Sequence, residues 1–148
     1  MLDGDYQRLL GKIMSSLPQQ ILLPPDCEDF FSQTGPTAPY PNDMRSASRT
    51  RVRTHGVLLP ESWLPAFPRD PEPIAIYTAD FSKTGFGFVA AEQFYPCEQV
   101  RILLATFWMR VKIRRCRRMG DACYAIGGTL TSRHDPATEA FDQIEMAV

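Results

Sequence analysis

Apolar and polar positions change rhythm several times along the chain, and each change marks an element. Leu9, Leu10, Ile13, Met14 and Leu17 recur at helical spacing, which predicts a short amphipathic helix over 5–17. Asp5 is placed to cap it and Pro18 to stop it. A helix this short is marginal alone, so it must dock on the domain or on a second chain. Between 18 and 42 the period is lost among Pro24, Pro25, Pro36, Pro39 and Pro41. That stretch reads as an extended linker, which Phe30, Phe31 and Tyr40 can pin locally.

After a basic segment at 44–54 the pattern becomes that of strands. Gly56, Val57, Leu58 and Leu59 form the first, followed by a loop with Pro60, Pro65, Pro68, Pro71 and Pro73. Trp63 and Phe67 in that loop are suited to cover one end of a core. Residues 74–79 and 86–91 have strand composition and flank Asp80-Phe81-Ser82-Lys83-Thr84-Gly85, a tight connection. Further strands are expected at 99–105, 107–114 and 123–130, with a turn at 119–122. In the fifth, Arg110, Lys112 and Arg114 alternate with Val111 and Ile113. Six short, sequential strands predict a small antiparallel β-barrel. At the end, Asp135 can cap and Pro136 can open a helix whose stripe is Ala140, Phe141, Ile144 and Val148. The expected fold is therefore mainly β. An N-terminal helix and proline-rich linker occupy 1–43, and the barrel with a C-terminal helix occupies 44–148.

Composition narrows the function more by exclusion than by suggestion. Hydrophobic residues make up 44 %, an ordinary globular share that argues against wholesale disorder. Lys plus Arg number 16 against 17 Asp plus Glu, a net charge of −1. Bulk charge thus points to neither a nucleic-acid nor a membrane partner, and an anion site must come from local clustering. No apolar run approaches the roughly 18 residues of a membrane span. The start, Met1-Leu2-Asp3-Gly4-Asp5, lacks the features of a secretory signal. Cys27, Cys97, Cys116 and Cys123 have no CxxC spacing and, with His55 and His134, make no zinc pattern. Reduced thiols in a cytoplasmic protein, with no metal, are the simplest account. No Ser/His/Asp or Cys/His arrangement suggests nucleophilic catalysis, so neither an enzyme nor a cofactor is expected.

The clustering that charge demands is present. Arg45, Arg49, Arg51 and Arg53 precede the first strand, and Asp80, Ser82 and Gly85 occupy the central turn. Taken alone, Asp80 and Ser82 can tie the turn to its own amides, and the arginines can be a solvated basic loop. Brought together, a carboxylate, a hydroxyl and several guanidiniums suit a ligand carrying both phosphates and purine edges.

An Arg-xxx-Arg element on a lead-in, a first strand, and Asp-x-Ser-x-x-Gly between two strands resembles the PilZ domain. The basic strand, the turn, Tyr124-Ala125-Ile126-Gly127-Gly128 and the terminal helix are also similar to that family, over about 44–147. The resemblance implies a bacterial receptor for the second messenger cyclic di-GMP that changes conformation on binding and signals to a protein partner. It implies Arg45 and Arg49 as the arginine pair, with Asp80, Ser82 and Gly85 as the second motif. Arg49 and Arg53 have the same spacing; the distance to the first strand favours the earlier pair, with Arg53 and Arg51 as additional contacts. Guanidiniums can grip phosphate, pair with guanine O6 and N7, or stack on the purine, while Asp80 can accept from guanine N1–H and the exocyclic amine. The long proline-rich loop and the N-terminal helix depart from the family pattern. Two rivals remain. One is a PilZ-like adaptor that acts through proteins without nucleotide. The other is a small barrel binding nucleic acid through Arg110, Lys112, Arg114, Arg115, Arg117 and Arg118, which the overall charge and the lack of interleaved aromatics disfavour.

Overall fold

The computed structural model describes residues 4–18, 20–25, 30–32, 35–36 and 50–142. Its body is a closed barrel of six antiparallel strands, preceded by a helix α1 at Gly4–Ser16 and two short strands, β1 at Gly35–Pro36 and β2 at Thr50–Arg51. The barrel strands are β3 (His55–Ser62), β4 (Ile74–Phe81), β5 (Gly85–Ala90), β6 (Gln99–Leu103), β7 (Trp108–Gly120) and β8 (Cys123–His134). Around the barrel the order is β4, β3, β6, β7, β8, β5, and β5 pairs with β4 to close it. Closure removes the exposed edges that an open sheet of this size would carry.

The barrel interior takes alternate side chains: Leu58, Ile76, Phe86, Phe88, Ile102, Met109, Val111 and Ile113 are buried there. β3 reads as an unbroken apolar run because both its faces are covered. Leu58 points inward, while Val57 and Leu59 lie under α1 with Leu103 and Trp108. Tyr6, Leu10 and Ile13 supply the helix side of that second core. The Tyr6 hydroxyl donates to the Leu104 carbonyl at 2.5 Å, and Gln7 Nε2 donates to the Ala105 carbonyl, fixing the helix on the β6–β7 connection. Asp5 lies within the first turn rather than at a cap, 3.4 Å from Arg8.

The region expected to be linker is a strap on the barrel wherever it is described. The Leu22 amide donates to the Ala122 carbonyl at the β7–β8 turn. Ile21 and Phe30 pack with Tyr77, Val89 and Cys123 in a third core on the outer face. Phe31 stacks on His55 and meets Tyr77 edge-on. β1 then pairs with β2, and β2 with the end of β4.

The proline-rich loop between β3 and β4 is held by Arg69. Its guanidinium makes two bonds to Glu98, at 2.5 and 2.9 Å, and lies 4.0 Å from the Phe94 ring centre. One expected element differs. The C-terminal helix is, among the described residues, a single 3-10 turn at Thr138–Phe141. Neither Asp135 nor Pro136 starts it; the residue before the turn is Ala137, extended and without a side-chain cap. Arg101 explains the stop, because its Nη1 takes the carbonyls of Ala140 and Asp142 and Asp142 leaves helical geometry. Ile144 and Val148 lie outside the described residues.

Candidate ligand-binding cleft

β4 and β5 are joined by Ser82, Lys83 and Thr84, so the central motif straddles a strand end and a turn. Ser82 closes that turn twice: its amide donates to the Gly85 carbonyl at 3.0 Å, and its Oγ accepts from the Gly85 amide at 2.9 Å. The Leu130 amide binds the Thr84 carbonyl and fastens the turn to β8. Ser82 and Gly85 are thus turn-forming residues in this structure, as the plainer reading expected. Asp80 has a different place. A register shift between Thr78 and Asp80 interrupts β4, and such a bulge re-aims the side chain that follows it. The Asp80 carboxylate lies against Gly87, its register partner on β5.

Asp80 lines an outer-face cleft of about 600 Å³ together with Phe30, Arg53, Gly87, Arg115 and Arg117. Arg53 is held in place there. Its Nε donates to the Ala79 carbonyl at 2.9 Å and its guanidinium sits 4.2 Å from the Phe30 ring centre. Arg51 is level with Asp80 in the β2–β4 ladder. Arg45 and Arg49 lie outside the described residues. The described lead-in is bound to β4: the Val52 amide donates to Ala79, and the Thr78 amide to Thr54 at 2.8 Å. Thr78, fully buried, bridges the kink between β2 and β3 by donating its hydroxyl to Val52 and accepting from the Thr54 amide.

Of the expected site residues, then, the fold brings Asp80 and Arg53 into one cleft, with the Arg51 backbone beside them. Ser82 and Gly85 are in the adjoining turn. Sequence reasoning named Arg115 and Arg117 only in the rival nucleic-acid strand and did not assign them to this site. The β7 cations in fact part company. Arg110 pairs with Glu61, Arg114 donates to Thr129 and Arg118 pairs with Asp121. Arg115 and Arg117 face the cleft. The available signal was Gly87 and Gly127 in strand interiors, where glycine marks a close approach.

The chemistry this arrangement can perform is recognition. Three guanidiniums and one carboxylate on a partly aromatic wall can bind anionic oxygens and planar rings with donor edges. Cys116 also borders the cleft, but burial pushes its thiol above the ordinary value, which disfavours the thiolate. Among the described residues no cluster of His, Cys, Asp and Glu could hold a metal ion, and no helix is long and apolar enough to cross a membrane. No protein-family model matches the sequence, and no curated protein matches it.

Proposed function

We propose that this protein is a cyclic di-GMP receptor of the PilZ type, which binds the dinucleotide on the outer barrel face and passes the signal to a protein partner. The observation that carries this reading is the Asp80 carboxylate in one cleft with Arg53, Arg115 and Arg117. A ligand with two guanines and two phosphates needs both signs of charge within reach, and this cleft offers both. Support also comes from the six-stranded barrel and from Asp80, Ser82 and Gly85 at the β4–β5 junction. Arg45 and Arg49 are the proposed phosphate and guanine grips, entering from the lead-in that β2 holds beside Asp80. Each charged hydrogen bond contributes on the order of 1.5–3 kcal/mol, and micromolar affinity needs about 8 kcal/mol, so a few such contacts suffice. Binding draws the lead-in over the cleft, and the surface so formed is the output.

Calorimetric titration with cyclic di-GMP, with GTP and cyclic di-AMP as controls, tests the reading. Saturable, selective binding of cyclic di-GMP is expected. Salt-sensitive binding of arbitrary oligonucleotides instead would favour a nucleic-acid interface, and no binding of either would leave an adaptor that works through proteins alone.

A further inference from the structure

One lateral row on the outer face is chemically unlike its neighbours. Asp80 on β4 is level with Gly87 on β5, Gly87 with Gly127 on β8, and Gly127 with Arg115 on β7. Two facing glycines in the middle of a sheet weaken it, since neither has a side chain to pack. Here they are overlain from both sides. A Cβ on Gly87 would stand 2.5 Å from Asp80 Oδ1, and a Cβ on Gly127 would stand 2.8 Å from Arg115 Nε. Because the two glycines face each other on adjacent strands, the carboxylate and the guanidinium overlie neighbouring positions of one face. Arg115 is exposed and makes no hydrogen bond or ion pair among the described residues. The next row, Val89, Ala125 and Arg117, has side chains at the corresponding positions and no such gap.

We infer that Asp80 and Arg115 together read the Watson–Crick edge of one guanine, over a floor made by Gly87 and Gly127. This rests on the function proposed above and adds its specificity determinant. Asp80 accepts from N1–H and the exocyclic amine, while Arg115, over the facing glycine, donates to O6. Adenine reverses both contacts: it turns an acceptor N1 toward the carboxylate and a donor amine toward the guanidinium. A cation that merely attracted phosphate would not distinguish the bases. Arg115 is therefore assigned to selectivity, and Arg117, level with Ala125, to phosphate attraction alone.

The test is calorimetry on the full chain with cyclic di-GMP, and competition by cyclic di-AMP, for wild type, Arg115→Ala and Arg117→Ala. Arg115→Ala should weaken cyclic di-GMP binding by about tenfold or more and narrow the guanine-over-adenine ratio. Arg117→Ala should weaken both dinucleotides by a similar factor and keep the ratio. Gly127→Ala, which pushes Arg115 off its floor, should follow Arg115→Ala. Thermal midpoints should stay near wild type for both arginine variants, since both side chains are exposed. Unchanged cyclic di-GMP affinity in Arg115→Ala, or an equal loss for both dinucleotides, overturns this inference alone. A wild-type protein that binds no cyclic di-GMP overturns the proposed function and the inference with it.

Discussion

Arg69 Nε lies 2.5 Å from Glu98 Oε1, and that contact joins the proline-rich loop to the barrel. Glu98 is only 1 % exposed, and its other oxygen accepts from Arg69 Nη2 and from the Tyr95 amide. Removing one member of such a pair strands the other charge away from water, at about 3–5 kcal/mol. Arg69→Ala should therefore lower denaturant stability by that amount, with further loss from its packing on Phe94. A change under about 1 kcal/mol in a urea titration would show that water or another group already satisfies Glu98.

Asp80 and Gly87 give a second expectation, which separates charge from shape. Asp80→Asn keeps the size of the side chain and removes the carboxylate, so cyclic di-GMP affinity should drop roughly tenfold or more while the melt is unchanged. Gly87→Ala should produce a comparable loss by displacing the same carboxylate. Ser82→Ala should do the reverse: it loses the bond from the Gly85 amide, about 1 kcal/mol of stability, with a smaller effect on affinity. Paired melting and binding curves for the three variants check the pattern.

The lead-in allows a residue-level forecast. Val52 and Thr54 amides are already bonded to β4, through the Ala79 carbonyl and the Thr78 hydroxyl. On adding cyclic di-GMP, amide exchange should slow at 44–49 and change little at 50–54, where β2 and the residues after it are already paired. Arg49→Ala should cost roughly 30-fold or more in affinity and abolish the slowing. Saturation with no slowing at 44–49 would remove the arginine-lead-in mechanism.

Alkaline pH should loosen α1. Burial raises the Tyr6 phenol above its ordinary value of 10.0, with the hydrogen bond to Leu104 partly opposing the shift. The folded state therefore holds its proton more tightly than the unfolded chain. This stabilisation is complete below about pH 10 and declines above it, as the unfolded phenol ionises. Tyr6→Phe should lose about 1–3 kcal/mol at neutral pH, leaving Leu104 without its donor, and should flatten the alkaline decline. Urea titrations at pH 8 and pH 10.5 make the comparison.

Much of the barrel was legible because its strands obey local rules. Period-two burial and the break between β3 and β4 are written in neighbouring residues, although β3 runs through Pro60 and the turn expected at 119–122 narrows to Asp121 and Ala122. The helix stripe of Leu10 and Ile13 was equally plain. What could not be read is what depends on lateral register. Asp80 and Arg115 line one cleft only because β4, β5, β8 and β7 lie side by side, and no spacing along the chain encodes that. Phe30 and Phe31 were expected to pin the strap and do so, but its course escaped for a related reason. Phe30 and Ile21 have no period of their own, and only the outer apolar positions Tyr77 and Val89 reveal where they belong. Among the described residues the terminal helix is cut to one turn, where Arg101, far away in sequence, takes the carbonyls of Ala140 and Asp142.

The strap also bears on how the protein can be shortened. Val57, Leu59, Leu103 and Trp108 on one side, and Tyr77 and Val89 on another, are covered by residues before 44, with Ala140 and Phe141 sharing the first face. A chain beginning at residue 44 would keep every barrel strand yet present two sticky apolar faces, each a nucleus for self-association. Such a truncation should express as oligomers or precipitate, and a peptide carrying residues 4–18 should partly return it to solution.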